Sequence, residues 1–80
     1  MDIGRLVAMA NDIAAFFDSE ADKAVAAEGV RFHITRFWDP RMRREIVAHA
    51  AAGGAGLTPT ARRAVELLSP ERTNSPNQSQ

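Results

Sequence analysis

Apolar residues near the start of the chain recur with helical spacing. From Ile3 to Phe17 they fall at intervals of three and four residues, which places them along one side of a helix. Asp2 is suited to cap the start of this helix. Met9 and Phe16 lie to the side of the stripe. They either pack against a neighbouring helix at its edge or form a second contact surface for another chain, where Met and aromatic residues are enriched.

The second predicted helix, from Ala21 to Trp38, is apolar on two sides. Ser19 and Asp22 provide residues typical of a helix start. One side of the helix carries Val25, Gly29 and Phe32, and the other carries Ala26, Val30, Ile34 and Phe37. Because a helix that is apolar on two sides is buried on two sides, we expect it to be the central helix or to lie between this domain and a partner.

A proline signal marks the start of the third helix. Pro40 favours the first position of a helix, and Asp39 before it is a good N-cap. The helix is predicted to run from Pro40 to Ala52 and to end at Gly53 and Gly54, since glycine favours the left-handed conformation after a helix. The expected inner face of this helix carries Met42, Ile46, His49 and Ala50.

Thr58 and Pro59 repeat the start signal and predict a short fourth helix up to Leu68. Residues 69–80 are polar or charged apart from proline, so they cannot repay the entropy of ordering and are predicted to be a disordered tail. No strand pattern occurs. The sequence therefore predicts an all-α fold: a helical domain over residues 1–68, built as a small bundle of three to four short helices, and a disordered C-terminal tail.

Length and composition limit what such a domain does alone. A chain of 80 residues forms one small domain with a marginal core, and small chains often draw stability from partners. It contains no cysteine, which excludes disulfides and iron–sulfur clusters held by four cysteines. It has neither an apolar run long enough to span a membrane nor the basic and apolar pattern of a signal peptide, so we expect a cytoplasmic protein.

Charge is balanced overall but uneven along the chain. The formal net charge is zero, which argues against a general electrostatic grip on nucleic acid. Acidic side chains dominate residues 2–28, and arginines dominate residues 31–63. Every cationic residue except Lys23 is arginine, which suits hydrogen bonding at interfaces, although high genomic GC content would produce the same bias.

No catalytic or metal-binding arrangement stands out. His33 and His49 lack a third ligand in a recognised spacing, and His49 is expected to be half-buried with its hydrogen bonds satisfied. The glycines of residues 53–56 are followed by no phosphate-binding lysine, so a turn between helices is favoured over a phosphate-binding loop. We therefore expect no active site and no cofactor bound by this chain.

The most suggestive surface feature is a group of arginines around two aromatic residues. This corner cluster comprises Arg36, Phe37, Trp38, Arg41, Arg43 and Arg44. The cluster has three interpretations. It forms a helix corner in which Trp38 fills the space between helices and the arginines are solvated, or it is a protein interface anchored by Trp and Arg. The third is nucleic-acid binding, in which Trp38 stacks on a base and the arginines contact phosphates. The acidic N-terminal half opposes the last of these, and a protein interface is favoured.

Three stretches together carry a family resemblance. They are residues 6–17 (LVAMANDIAAFF), residues 33–43 (HITRFWDPRMR) and residues 53–59 (GGAGLTP). In this order and spacing they resemble the delta subunit of the NAD-dependent formate dehydrogenases of bacterial cytoplasm, over roughly residues 1–68. The run from Arg36 to Arg43 is the most specific part of this resemblance.

The resemblance implies an accessory chain in a larger complex. The large subunit of that complex carries a molybdenum or tungsten bis-pterin cofactor and iron–sulfur clusters, and other subunits carry flavin and pass electrons to NAD. The implied role of this chain is assembly or stabilisation, without catalytic residues. We expect the run from Arg36 to Arg43 to meet the large subunit, with Met9 and Phe16 as a second candidate contact.

Two alternatives to this role are open from the sequence. The first is a transient maturation factor that helps cofactor insertion and then leaves the complex, with a smaller and more polar docking face. The second is a free-standing helical protein with a nucleic-acid-binding or regulatory role. Such a protein would fold alone, and its binding to polyanions would weaken as the salt concentration rises.

Overall fold

Four α-helices make up the part of the chain that the structure describes. The computed structural model describes residues 2–68 and contains no β-strand in that range. The helices are α1 (Ile3–Phe17), α2 (Lys23–Phe37), α3 (Pro40–Ala51) and α4 (Pro59–Leu68). The predicted all-α class is therefore confirmed. The predicted tail over residues 69–80 lies outside the described residues.

Three of the four helix starts lie where the capping residues predicted them. The Asp2 carboxylate accepts a hydrogen bond of 3.1 Å from the backbone N–H of Arg5, which fixes the first turn of α1. At the start of α3, Asp39 accepts one of 3.0 Å from the N–H of Met42. The hydroxyl of Thr58 accepts a longer bond of 3.3 Å from an N–H in the first turn of α4.

The bounds of α2 differ from the prediction. It was predicted from Ala21 to Trp38 but begins after Asp22, whose carboxylate accepts from the N–H groups of Ala24 at 3.0 Å and Val25 at 3.4 Å. At the other end, the backbone of Trp38 is already extended, so this residue caps the helix and does not continue it. Capping by Asp22 therefore decides the start of α2.

The turn after α3 is built by glycines, as predicted. The N–H of Gly53 donates to the carbonyl of Ala50 at 3.1 Å, and the N–H of Gly54 donates to the carbonyl of His49 at 2.9 Å. Both glycines have positive φ, 121° and 66°, which completes a Schellman-type C-cap. The helix ends one residue before the predicted Ala52, because that residue forms the cap.

The core lies where the four helices meet and is made largely of small side chains. α2 packs against α1 and α4, and α3 packs against α1 and α4. The buried residues of the core cluster are Leu6, Ala10, Ala14, Ala27, Val30, Ile34, Trp38, Ile46, Ala61, Ala64 and Val65. Alanines let the helices approach closely but bury little apolar area each, so this core contributes modest hydrophobic stabilisation.

Polar side chains tie the loops to the helices. The side-chain amide of Asn11 on α1 donates to the carbonyl of Gly56 at 2.9 Å and accepts from the N–H of Thr58 at 3.0 Å. The hydroxyl of Thr60 on α4 donates to Asp18 at the end of α1 at 2.6 Å. These bonds hold the α3–α4 loop and α4 against the first helix. None of the described helices has the length and apolar character needed to cross a membrane.

Candidate interaction surface

Trp38 belongs to the core of the domain. Its side chain is 5% exposed and lies in the buried cluster between the ends of α2 and α3. This position agrees with the interpretation in which Trp38 fills the space at a helix corner. A buried indole cannot stack on a nucleic-acid base or insert into a partner unless the core opens. Any contact made by the corner cluster therefore depends on its other members.

Arg43 binds the C-terminal end of α2. Its guanidinium donates to the carbonyl of Trp38 and, at 3.3 Å, to the carbonyl of Thr35. Carbonyl groups at the end of a helix lack intrahelical donors and attract cations, so this contact joins α3 to α2. Arg43 thus has a structural role at the corner, and its predicted contact with a partner stays a prediction.

Arg36 and Phe37 are exposed at the last turn of α2. The guanidinium carbon of Arg36 lies 5.9 Å from the ring centroid of Phe32 and 5.9 Å from that of Phe37. Both distances fall within the range of cation–π attraction. Phe37 is 66% exposed, and its ring lies 4.7 Å from that of His33. The arginine therefore joins two exposed aromatic side chains into one surface.

Arg41 and Arg44 extend from the exposed side of α3. Nε of Arg41 lies 3.9 Å from a carboxylate oxygen of Glu45. Because the arginine side chain is 79% exposed, this ion pair contributes little to stability. Arg44 is exposed as well. Both guanidinium groups are therefore accessible to a partner.

Met9 and Phe16 have different environments. Met9 is half-buried and packs against the core, which corresponds to the edge-packing alternative. Phe16 is 78% exposed, and its ring stands edge-to-face on that of Phe17 at 5.2 Å. A contact between Phe16 and another chain stays a prediction.

Two exposed apolar residues of α2 were missing from the predicted interface. Val25 is 53% exposed and Phe32 is 58% exposed. The sequence placed both on a second apolar side of α2 and predicted burial of that side either within this domain or against a partner. Burial within the domain is wrong for this side, and burial against a partner stays a prediction. The neighbouring helices cover Ala26, Val30 and Ile34 on the other side of α2, whereas Phe37, assigned to that side from the sequence, is 66% exposed at the helix end. On this side, Phe17 of α1 packs against Gly29. The second apolar side was itself the signal that could have identified them.

An open groove of about 550 Å³ lies along this side of α2. Phe17, Val25, Gly29 and Phe32 contribute its apolar lining, and Glu20, Glu28 and Arg31 contribute charged groups at its edge. We use the name outer α2 surface for a set of side chains linked through Phe17 and Arg36: Phe16, Val25, Gly29, Phe32, Arg36 and Phe37. Glu28 and Arg31 pair with each other at 2.9 Å beside it.

The two histidines do not form a metal site with acidic neighbours in the described range. Nε2 of His49 lies 2.8 Å from the carbonyl oxygen of Ala55, so a protonated Nε2 donates to that carbonyl. This agrees with the expected half-buried and satisfied histidine. Within residues 2–68, no group of three His, Cys, Asp or Glu side chains is placed to hold a metal ion.

Comparison with known families gives a match over most of the chain. A family model described as the NADH-dependent formate dehydrogenase delta subunit FdsD matches residues 5–65, which is more than half of the chain. The matched segment contains α2, α3 and the corner cluster in full. Neither a search of curated proteins nor a search of solved structures finds a match.

Proposed function

The chain belongs to the FdsD family of NADH-dependent formate dehydrogenase delta subunits, and we propose that it is a non-catalytic accessory subunit of that complex. In this role it supports assembly or stability through protein contacts, in the cytoplasm, and binds no cofactor of its own. Its partners are the other subunits, in particular the large molybdopterin-containing one. The observation that carries the proposal is the family match over residues 5–65.

The small core supports an accessory role. Apart from Trp38, the largest fully buried side chains are aliphatic, and many buried positions are alanine. Three phenylalanines of the same chain remain more than half exposed. Burial of such side chains against a partner adds stability that a domain of this size lacks on its own.

The side-chain inventory supports a non-catalytic role. The chain has no cysteine and no tyrosine, and His49 bonds to a backbone carbonyl in its own loop. A catalytic site needs a nucleophile or base in convergent geometry with a second group. In this proposal the chemistry of the complex belongs to the other subunits.

Arg41 and Arg44 are the members of the corner cluster that we propose to contact the large subunit. Both are exposed, on the same side of α3, and neither supports the core. Guanidinium groups bind carboxylates in a bidentate manner, which gives strong and directional contacts at an interface. The partner surface opposite them is therefore expected to be acidic.

Purification of the tagged full-length chain from its native cytoplasm tests the proposal. Mass spectrometry of the eluate and an assay of formate-dependent NAD reduction should find the large subunit together with activity. A permanent subunit should be stoichiometric in the active complex. A maturation factor would instead accompany only inactive, cofactor-free large subunit. A chain that elutes alone, or with nucleic acid, contradicts both roles.

A strain without the chain separates assembly from catalysis. If the chain is an accessory subunit, less complex assembles, but each assembled complex that contains its metal turns over formate at the usual rate. A normal amount of fully loaded complex with a lower turnover number would instead indicate participation in the reaction.

A pair of variants tests the corner cluster. Replacement of both Arg41 and Arg44 with alanine should lower recovery of the large subunit without loss of helical structure. Arg63→Ala changes an exposed arginine on α4 and provides the matched control. Trp38→Ala is unsuitable here, because it removes a core side chain and would disturb the fold.

A further inference from the structure

The exposed apolar side chains of this domain are joined into one surface. Phe16, Val25, Phe32 and Phe37 are all more than half exposed. Isolated exposed apolar residues are ordinary, but a contiguous set marks a binding surface. Here Phe17 connects Phe16 to α2 through its contact with Gly29, and Arg36 lies over the rings of both Phe32 and Phe37. The outer α2 surface is therefore continuous along the helix.

Charge differs between the two ends of this surface. Near the start of α2 lie Glu20 and Glu28, both at the edge of the groove. Arg31 pairs with Glu28 and Lys23 with Asp18, so within residues 2–68 Glu20 carries negative charge at this end without an ion pair. Near the end of α2 lies Arg36, whose guanidinium stands on the aromatic rings. A complementary partner needs apolar side chains in the middle, a cation toward Glu20 and an anion toward Arg36.

We propose that the outer α2 surface is the docking site for an amphipathic helix of another subunit of the complex. That helix lies antiparallel to α2, with acidic side chains in its first turn near Arg36 and basic side chains in its last turn near Glu20. Helix dipoles favour this distribution, since acids stabilise a helix start and bases a helix end. One large apolar side chain of the docking helix occupies the groove between Phe17 and Phe32. This inference rests on the proposed function, because it takes the occupant to be a chain of the same complex.

A second copy of this chain is the rival occupant of the surface. Two antiparallel copies would bring Glu20 of each near Arg36 of the other, so the charge pattern suits both occupants and the crosslinks described below distinguish them. The exposed parts of the four apolar side chains amount to an area on the order of 400 Å². A standard interface buries about 800 Å² per partner, so the contact has to extend onto adjoining surface. Arg36 belongs to both surfaces, so the corner cluster with Arg41 and Arg44 provides that extension.

Co-expression of the tagged full chain with the other subunits of its formate dehydrogenase tests the docking site. Phe32→Ala should lower recovery of the partner by about tenfold or more under conditions where binding is not saturated, as expected for a central aromatic anchor. Arg36→Glu should also lower recovery, because it places negative charge opposite the expected acidic turn. Arg63→Ala is the matched control and should leave recovery unchanged.

Photo-crosslinking gives a second measurement that does not depend on the stability of an alanine variant. Substitution of Phe32 with p-benzoylphenylalanine should crosslink this chain to another subunit upon irradiation, and the same substitution at Arg63 should not. Mass spectrometry of the crosslinked peptide should find a helix with an apolar stripe, acidic residues at its start and basic residues at its end.

The outcomes separate this inference from the proposed function. Wild-type chain that recovers no other subunit would contradict the accessory role itself. Normal recovery by both Phe32→Ala and Arg36→Glu, with crosslinking from position 63 alone, would overturn the docking site but leave the accessory role intact. A crosslink from position 32 to a second copy of this chain would overturn the assignment of the occupant to another subunit.

Discussion

The ring of Phe17 lies directly against Gly29. A Cβ built at position 29 would lie 2.6 Å from two carbon atoms of that ring, well below the distance that real Cβ contacts show. Glycine in the middle of a helix costs stability relative to alanine, so its presence in α2 has a packing reason. The missing side chain lets the last residue of α1 pack against α2, beside the outer α2 surface.

Gly29→Ala should therefore destabilise the domain, despite the better helix propensity of alanine. Overpacking of this kind costs about 1–3 kcal/mol, and the gain in helix propensity offsets at most about 1 kcal/mol of that cost. Urea unfolding of the full chain, followed by circular dichroism, measures the difference. Combination with Phe17→Leu should recover part of the loss, because the smaller side chain moves aside.

Gly4→Ala is the matched control for that substitution. A Cβ at position 4 would lie 3.1 Å from the Asp2 carboxylate oxygen that caps α1, and a shift of a few tenths of an ångström in this flexible side chain relieves the contact. This variant should lose much less stability than Gly29→Ala. Equal effects at positions 4 and 29 would show that the contact between Phe17 and Gly29 does not determine the stability of the α1–α2 packing.

Substitution of Asn11 should destabilise the domain more than substitution of most other polar residues on the helix surfaces. Its amide bonds both Gly56 and Thr58, so the side chain provides a donor and an acceptor to the backbone of the α3–α4 loop. Asn11→Ala leaves the half-buried N–H of Thr58 without this partner and should cost about 1–3 kcal/mol. The neighbouring Asp12→Ala changes an exposed side chain and should stay within about 0.5 kcal/mol.

Asn11→Asp separates the two hydrogen bonds of Asn11. The carboxylate still accepts from the N–H of Thr58, but it cannot donate to the carbonyl of Gly56 and faces it as a second acceptor. Its stability, measured by urea unfolding at neutral pH, should fall between the wild type and Asn11→Ala. A variant with wild-type stability would mean that the bond to Gly56 contributes nothing.

The helices were predictable because the signals that start and end them are local. Asp2, Asp39 and Thr58 each provide an acceptor to an N–H three residues later, and this needs no knowledge of the tertiary fold. The start of α2 was less certain from sequence, since several polar residues precede it. There the carboxylate of Glu20 accepts from the N–H of Asp22 at 3.2 Å, which makes the segment a turn and leaves Asp22 as the cap.

The candidate surface was harder to predict because exposure depends on how helices pack. The pattern along α2 identified two apolar sides, but only tertiary packing decides which one this chain covers. Trp38 follows the last helical residue of α2, where periodicity does not fix the direction of a side chain. The bonds of Asn11 reach across more than forty residues of sequence, and no local pattern indicates such a contact.

Arg43 and Arg44 should differ in their effects on stability although they are adjacent in sequence. Arg43 donates to two carbonyls at the end of α2, and such charge-assisted bonds in a half-buried setting contribute about 1–2 kcal/mol. Arg43→Ala should lower the free energy of unfolding by this amount, as measured in urea. Arg44→Ala should change it by less than about 0.5 kcal/mol, because the side chain is exposed.

Arg43→Lys refines that comparison. A lysine ammonium carries the same charge but lacks the planar fork that reaches both carbonyls, so it should restore only part of the stability lost in Arg43→Ala. Full restoration would indicate that charge near the end of α2 is sufficient. Equal stability of all the variants at positions 43 and 44 would contradict a structural role for Arg43.

The hydrogen bond from Thr60 to Asp18 should couple α4 to the end of α1. Thr60 is 7% exposed, and its hydroxyl lies 2.6 Å from the carboxylate. Lys23 approaches the same carboxylate at 3.6 Å, but both side chains of that ion pair are largely solvated and it contributes little. Thr60→Val keeps the shape and removes the donor, so it should cost about 1 kcal/mol.

A double-mutant cycle isolates this bond from the other contacts of Asp18. The energies of Thr60→Val and Asp18→Ala should not add, and the coupling energy should be about 1 kcal/mol in the stabilising direction. Thr60→Ser is the matched control, because it keeps the donor and should retain most of the coupling with Asp18. If the two substitutions are additive in urea unfolding, solvent satisfies Asp18 equally well and the bond does not hold α4 against α1.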